Sequence, residues 1–348
     1  MDNLVVLNNE KVSKENGKFF SRNYNFKILP EGLNRYFNVN YIVRKSKINE
    51  HHELNLSKIK IASNIVQFIY FVIKSFKNKN TRYFLITISP YNFIAFLFLL
   101  LFRKKVFVYL ISSGHEEYKF ILGSWAVWIY DIMFKIVTSY ATVIALHDRL
   151  YKKNNGHVIS SSTLDEKWLQ NFKEPNLKKI KFLYVARINP EKGIYEFLEM
   201  FKKANLEAEI SIIGKTKNLT IQKKFQSVIE NMENIDFPGY ISSREKLIDA
   251  YDKHNILVLP SFTEGQPYVV DEALARRRPV LIFEDIAHII KGRRGIFVSK
   301  RNLESFIKTS KHIIQNYGEI QKDIEKNNFP LEKDMFQQIA NVIKKSTT

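Results

Sequence analysis

The 348-residue sequence predicts an α/β protein built as two Rossmann-like domains, and three observations lead there. Short β-rich runs alternate with segments of helical spacing, the pattern of a parallel sheet crossed by helices. The alternation breaks at a polar stretch near residues 152–179 and then restarts. The length suits two domains of about 150 to 180 residues each, and 45 % apolar residues, with 27 Phe and 17 Tyr, supply two cores.

In the first half the strand candidates are LVVL, VNYIV, YFLITIS, VFVYLIS and TVIAL, separated by helical spacing over 60–78, 92–102 and 120–138. In the second half they are KFLYVA, AEISIIG, ILVLPS, PVLIF and GIFVS, interleaved with helices near 192–204, 219–232, 244–253, 267–276 and 303–316. The boundary falls between about 160 and 178, where LDEKWLQNFKEPNLKK reads as a connecting helix and linker. This divides the chain into a first Rossmann-like domain, 1–165, a second, 166–330, and a terminal segment, 331–348. That last segment reads as an amphipathic helix through Met335, Phe336, Ile339 and Ile343, returning to the first domain. The expected site is the cleft between the two sheets.

Composition removes several function classes. The chain has no Cys, so disulfides, thiolate nucleophiles and Cys-based zinc sites are excluded. The eight His residues show no metal-ligand spacing, and there is no His-Glu-x-x-His element, no Gly-x-Ser-x-Gly elbow and no Walker loop. The start MDNLVVLNNEKVSKENGKFF does not read as a signal peptide. The longest apolar run, Phe93 to Phe102, has ten residues, against about 20 for a bilayer span, and is expected to be a buried helix. Net charge is +19, and residues 1–150 carry 21 Lys and Arg against 10 Asp and Glu. Such a balance suits nucleic acid, an anionic membrane surface, phosphorylated substrates, or a Lys-rich surface that is merely solvated.

Two stretches carry chemistry. In PSFTEGQPYVVDE (260–272) a strand ends in a polar turn and a helix opens at Pro267. The first N–H groups of such a helix, with those of Gly265 and Gln266, suit a phosphate or sugar oxygen. Glu264 before the helix and Glu272 in its second turn offer two carboxylates to hydroxyls of one extended ligand, one reading a sugar and the other a ribose. In KFLYVARINPEKGIYEFLEMF (181–201) Arg187 leaves a strand end and Lys192 precedes Gly193 at a helix start. A forked guanidinium beside a point charge suits a diphosphate.

The stretches YVARINPEKG and PSFTEGQPYVVDEALARRRPV resemble the retaining GT-B glycosyltransferases of the family-4 type, with their G/A-R-x4-K-G strand end and Glu-x7-Glu element. The similarity runs from about Lys179 to Val298. It implies a GT-B fold and a glycosyltransferase of hexosyl type that needs no metal and no bound cofactor. It also implies roles: Arg187 and Lys192 on the donor diphosphate, Glu272 on the ribose, and Glu264 with the Gly265 backbone on the transferred sugar. The expected partners are a nucleoside-diphosphate sugar, a saccharide or polyprenyl-linked saccharide acceptor and an anionic membrane surface, with no nucleic acid. The expected setting is surface-polysaccharide assembly in the cytoplasm, peripheral on the membrane. Other readings are a GT-B-like epimerase or phosphorylase and a basic nucleic-acid-binding protein.

The sequence departs from the family where Phe283-Glu284-Asp285-Ile286 replaces a Gly-rich turn, and where Arg276, Arg277 and Arg278 stand in place of small residues. In the first domain Gly17, in ENGKFF between the first strand and the next helix, corresponds to the family's glycine loop. His115, after VFVYLIS in Ser113-Gly114-His115-Glu116-Glu117, lies at a carboxyl end of the sheet and is placed to polarise the reacting sugar or acceptor.

Overall fold

The computed structural model describes residues 1–345 except 78–79, 112–113, 116–117, 119–122, 147–149, 152–155, 217 and 231. It divides into two compact units, 1–163 with 330–348 and 164–329.

The first unit opens with β1 (Asn3–Glu15) and β2 (Lys18–Ser21), then α1 (Tyr24–Leu33), β3 (Asn38–Lys45), β4 (His52–Leu54), β5 (Ile59–Ala62) and α2 (Ile65–Lys74). It continues with β6 (Arg82–Ile86), α3 (Pro90–Leu101), β7 (Val106–Leu110), α4 (Ala126–Tyr140), β8 (Thr142–Ala145) and β9 (Gly156–Val158). Seven strands pair in parallel in the order β5-β3-β1-β6-β7-β8-β9. The distal part of β1 also pairs antiparallel with β2, and β2 with β4. Alternate residues of β1 enter different cores: Leu4 and Val6 join one and Val5 and Leu7 the other, as a sheet covered on both faces requires.

The second unit contains β10 (Ile180–Val185), α5 (Ile194–Ala204), β11 (Ala208–Ile213), α6 (Leu219–Ile229), β12 (Ile235–Gly239), α7 (Arg244–Lys253) and β13 (Ile256–Leu259). After these come α8 (Tyr268–Ala275), β14 (Val280–Phe283), β15 (Ile296–Ser299), α9 (Leu303–Gln315) and α10 (Tyr317–Ile324). The all-parallel order β12-β11-β10-β13-β14-β15 is that of a doubly wound Rossmann sheet, reversing between β10 and β13. The helices start where short polar side chains accept orphan N–H groups, as at Asn218, Ser243 and Asn302. Finally α11 (Glu332–Lys345) rejoins the first unit, burying Met335, Phe336, Ile339 and Ile343 in the same core as α1. Gly32 makes that packing possible, because a Cβ there would lie 2.3 Å from the Phe336 ring.

Four expectations fail. Phe93 to Phe102 is not a buried helix: one face of α3 enters the core through Ala95, Phe96 and Leu99, while Ile94, Leu97, Leu101 and Phe102 are exposed. Residues 60–78 are not one helix: Ile59 to Ala62 pair with β3 as a strand before α2 begins. ENGKFF does not join a strand to a helix. Asn16 (φ 48°) and Gly17 (φ 80°) form the tip of the β1–β2 hairpin, with Glu15 opposite Lys18, and Asn-Gly is the pair that such a turn favours. The connecting helix is absent from 164–179 apart from one turn, Glu166–Leu169. Side chains of the second unit take the carbonyls of this segment. Arg276 donates to Trp168, Gln170 and Asn171, and Arg278 to Lys173, while Asp165 pairs with Arg244. Those bonds replace the helical ladder with a pinned strap.

Candidate functional site

The site assembles at the carboxyl ends of β10 and β13, the two strands between which the sheet order reverses. Side chains and backbone groups that leave such a switch point converge on the crevice where ligands bind in open α/β folds. After β10 the chain passes Arg187, forms a tight turn over Pro190–Lys192, and enters α5 through Gly193 in the left-handed region (φ 65°). After β13 it passes Pro260 to Gln266 and enters α8.

The two loops are fitted to each other at backbone level. A Cβ on Gly193 would stand 2.0 Å from the Pro260 carbonyl oxygen, and the Phe262 N–H donates to the Glu191 carbonyl at 3.1 Å. Only glycine meets both the positive φ and that approach. Gly193→Ala is therefore expected to destabilise the second unit by about 2 kcal/mol or more, read from its denaturant midpoint. Gly265→Ala is expected to leave that midpoint unchanged, because a Cβ at Gly265 meets open space.

This fit brings Lys192 and Glu264 together: Nζ donates to Oε1 at 2.7 Å, with both side chains largely buried. Ser261 donates to the same oxygen at 2.7 Å, and His288 Nε2 donates to the Glu264 carbonyl at 2.9 Å. An ammonium carries three donors, so the pair leaves Lys192 able to take further acceptors. Arg187 reaches outward, its guanidinium 70 % exposed and 3.7 Å from Glu191. Its carbonyl accepts the Tyr184 hydroxyl at 3.0 Å, and burial holds that phenol far above its ordinary pKa, so it stays a donor.

Pro267 is the N-cap of α8 and not its first helical residue, and no side chain caps this end. The Val270 N–H turns back to the Pro267 carbonyl at 3.2 Å. Glu272, in the second turn, is buried and accepts the Tyr251 hydroxyl at 2.9 Å; burial and the Glu272 carboxylate both raise that phenol well above its usual pKa. One carboxylate therefore sits in the mouth of the loops and the other is anchored from behind.

Sequence reasoning missed the supports. Arg301, just beyond β15, donates to the carbonyls of Pro260 (3.0 Å) and Ser261 (3.3 Å), pairs with Asp285 at 2.6 Å and lies over the rings of Phe262 and Phe283. It braces the Glu264 loop from the segment where the family's Gly-rich turn is replaced. The only trace in the sequence was that departure. Arg276 and Arg278, which stand where the family has small residues, are structural. Both are buried, Arg276 grips Asp252 through two bonds at 2.8 Å, and both hold the strap. Arg277, in the left-handed region (φ 58°), pairs with Glu325 at 2.8 Å.

Gly17 and His115 belong to the first unit. Gly17 is at the hairpin tip described above, with open space around it. His115 lies edge-on to Tyr130 (4.9 Å between ring centres) with Nε2 3.6 Å from Asp131; Ser113, Glu116 and Glu117 fall outside the described residues. Among the described residues no group of three or more His, Asp or Glu is placed to hold a metal ion.

Comparison with known proteins agrees with this geometry. Residues 179–316 match the family model described as Glycosyl transferases group 1. TuaC of Bacillus subtilis strain 168, a proposed teichuronic acid biosynthesis glycosyltransferase, is 31 % identical over 100 residues; the match covers 28 % of this chain and 23 % of that protein's length. Among solved structures, sucrose-phosphate synthase from Thermosynechococcus elongatus superposes with a TM-score of 0.69 at 13 % identity, covering 99 % of this chain and 97 % of the other. HepE of Anabaena in complex with UDP-glucose gives 0.68 at 10 % identity over 99 % and 98 %. At such identities the likeness shows the fold, two Rossmann-like units of GT-B type. The match to the group 1 glycosyltransferase model lies within the second unit.

Proposed function

We propose that this chain is a retaining glycosyltransferase that moves a sugar from a nucleoside diphosphate to a saccharide or lipid-linked saccharide, in the assembly of a cell-surface polysaccharide. The observation that carries the reading is the Lys192–Glu264 pair at 2.7 Å, held at the switch point of the second sheet beside the start of α8. The family match and the UDP-glucose bound by the Anabaena protein support a nucleotide-sugar donor. TuaC supports the polysaccharide setting.

Breaking the bond between the anomeric carbon and the diphosphate builds negative charge on the leaving oxygen. Lys192 and Arg187 supply fixed positive charge there, with the N–H groups of Gly265, Gln266 and the first turn of α8 adding donors. Glu264 accepts hydroxyls of the transferred sugar and Glu272, steadied by Tyr251, those of the ribose. The acceptor oxygen attacks on the face the diphosphate leaves, its proton passing to a diphosphate oxygen, so configuration is retained. Since protein cations do the neutralising, no metal or bound cofactor is required. Gly17 and His115 are assigned to the acceptor and sugar side of the reaction. The setting is the cytoplasm, with the acceptor met at the membrane.

A thermal-shift panel of UDP-, GDP-, ADP- and dTDP-linked sugars tests the donor class. One nucleotide is expected to raise the melting temperature, by a linkage of about 2.7 kcal/mol at a hundredfold excess over Kd, and transfer is expected to survive EDTA. No shift with any member, or loss of transfer in EDTA, defeats the reading.

A further inference from the structure

The surface of the first unit is not uniform. Of the nineteen large hydrophobic residues exposed among the described residues, eleven lie on or at the ends of α2, α3 and α4. These helices contact one another in that order and share one core on one side of the sheet, with α1 and α11 on the other. Their outward faces therefore form one continuous surface. Trp125 and Trp128 are 62 % and 61 % exposed, Leu101 74 %, Val66 75 % and Tyr70 55 %.

The same surface is cationic. From residue 54 to residue 115 the sequence holds nine Lys and Arg and no Asp or Glu; of these Arg82 is paired with Asp2, and the acidic group of α4, Asp131, is paired with Lys135. Lys74, Lys77, Arg103 and Lys105 are exposed beside the apolar residues. Burial chiefly, and the neighbouring Lys74 after it, hold the Lys60 ammonium below its usual pKa.

We infer that the α2–α3–α4 face docks on an anionic lipid bilayer, with Trp125, Trp128 and Leu101 entering the interface and Arg103, Lys104 and Lys105 meeting lipid headgroups. Amphipathic aromatics and basic side chains on one face are what a membrane interface accepts. A soluble acidic partner would match the cations but leave Trp and Leu on a polar surface. A second copy of this face would bring like charges together. No described helix is long and apolar enough to cross a membrane, so the contact is interfacial. The inference rests on the proposed function only for its purpose, and binding is measured without donor or acceptor.

The chain's three tryptophans provide the test, because Trp168 is buried, at 1 % exposure, and the other two lie on this face. Vesicles containing phosphatidylglycerol are expected to shift the full chain's emission to the blue, and bromolipid to quench it; pure phosphatidylcholine should do neither. Arg103→Ser, Lys104→Ser and Lys105→Ser together should lower partitioning on the order of a hundredfold. In the Trp125→Phe, Trp128→Phe chain the spectral signal should vanish, with the melting temperature unchanged. No shift with anionic vesicles overturns the inference, as does a shift that survives loss of both tryptophans. A dimer that Trp128→Glu dissociates would assign the face to a second copy instead. Transfer to a soluble acceptor is assayed separately, so failure of the membrane inference and failure of the transferase reading remain distinguishable.

Discussion

Lys192→Ala is expected to lower kcat/KM for sugar transfer roughly a hundred- to a thousandfold, with most of the loss in kcat. In the proposed reaction the ammonium faces charge that grows as the diphosphate departs, and so stabilises the transition state more than the bound donor. A low-dielectric setting enlarges the effect: Nζ is held 2.7 Å from Glu264 and both side chains are mostly out of water. Removing it also leaves the Glu264 carboxylate with Ser261 as its remaining donor in the loop, and melting separates that structural cost from the chemistry. Lys192→Arg should not restore the rate, since Gly193 against Pro260 leaves the loops no room to shift for a longer, planar head. Steady-state kinetics with donor and acceptor varied in turn decide it. A Lys192→Ala chain with full activity would remove the site from this loop.

The second large effect concerns stability. Arg276→Ala is expected to cost the second unit about 3 to 5 kcal/mol, the usual loss when one partner of a buried ion pair is removed. Arg276 is 1 % exposed and satisfies Asp252 and three carbonyls of the strap. Its loss strands a buried carboxylate and frees residues 168–171 together. Arg277→Ala should change stability by less than about 1 kcal/mol, because its bond to Glu325 is a partly exposed surface pair. The midpoint of the second unit's denaturant transition measures both, and proteolysis of the strap in Arg276→Ala should quicken in step. Equal midpoints for the two variants would show that the strap is not held as described.

The sequence alone determined five of the six strands of the second unit, because a parallel strand buried on both faces reads as an apolar run, such as ILVL at β13, whereas the partly exposed edge strand β12, IDFPG, gives no such run. It also determined which residues stand at the ends of those runs, Arg187, Lys192, Glu264 and Glu272, since a strand end followed by a helix start is a local pattern. Local signals failed where partners are distant in the chain. The ENG hairpin was overlooked as a turn, although Asn-Gly is itself the signal. Residues 164–179 read as a connecting helix and linker, yet Arg276 and Arg278, about a hundred residues later, take their carbonyls. Arg276, noticed only as a departure from the family pattern, is buried structure, while Arg301, which no local pattern singles out, braces the Glu264 loop. Charge pattern does not reveal burial; only packing decides which guanidinium faces water and which closes a core. The Lys192–Glu264 pair is the clearest case of that division. Its members are 72 residues apart, each visible in the sequence, and it took the close approach of Gly193 to Pro260 to make them one site.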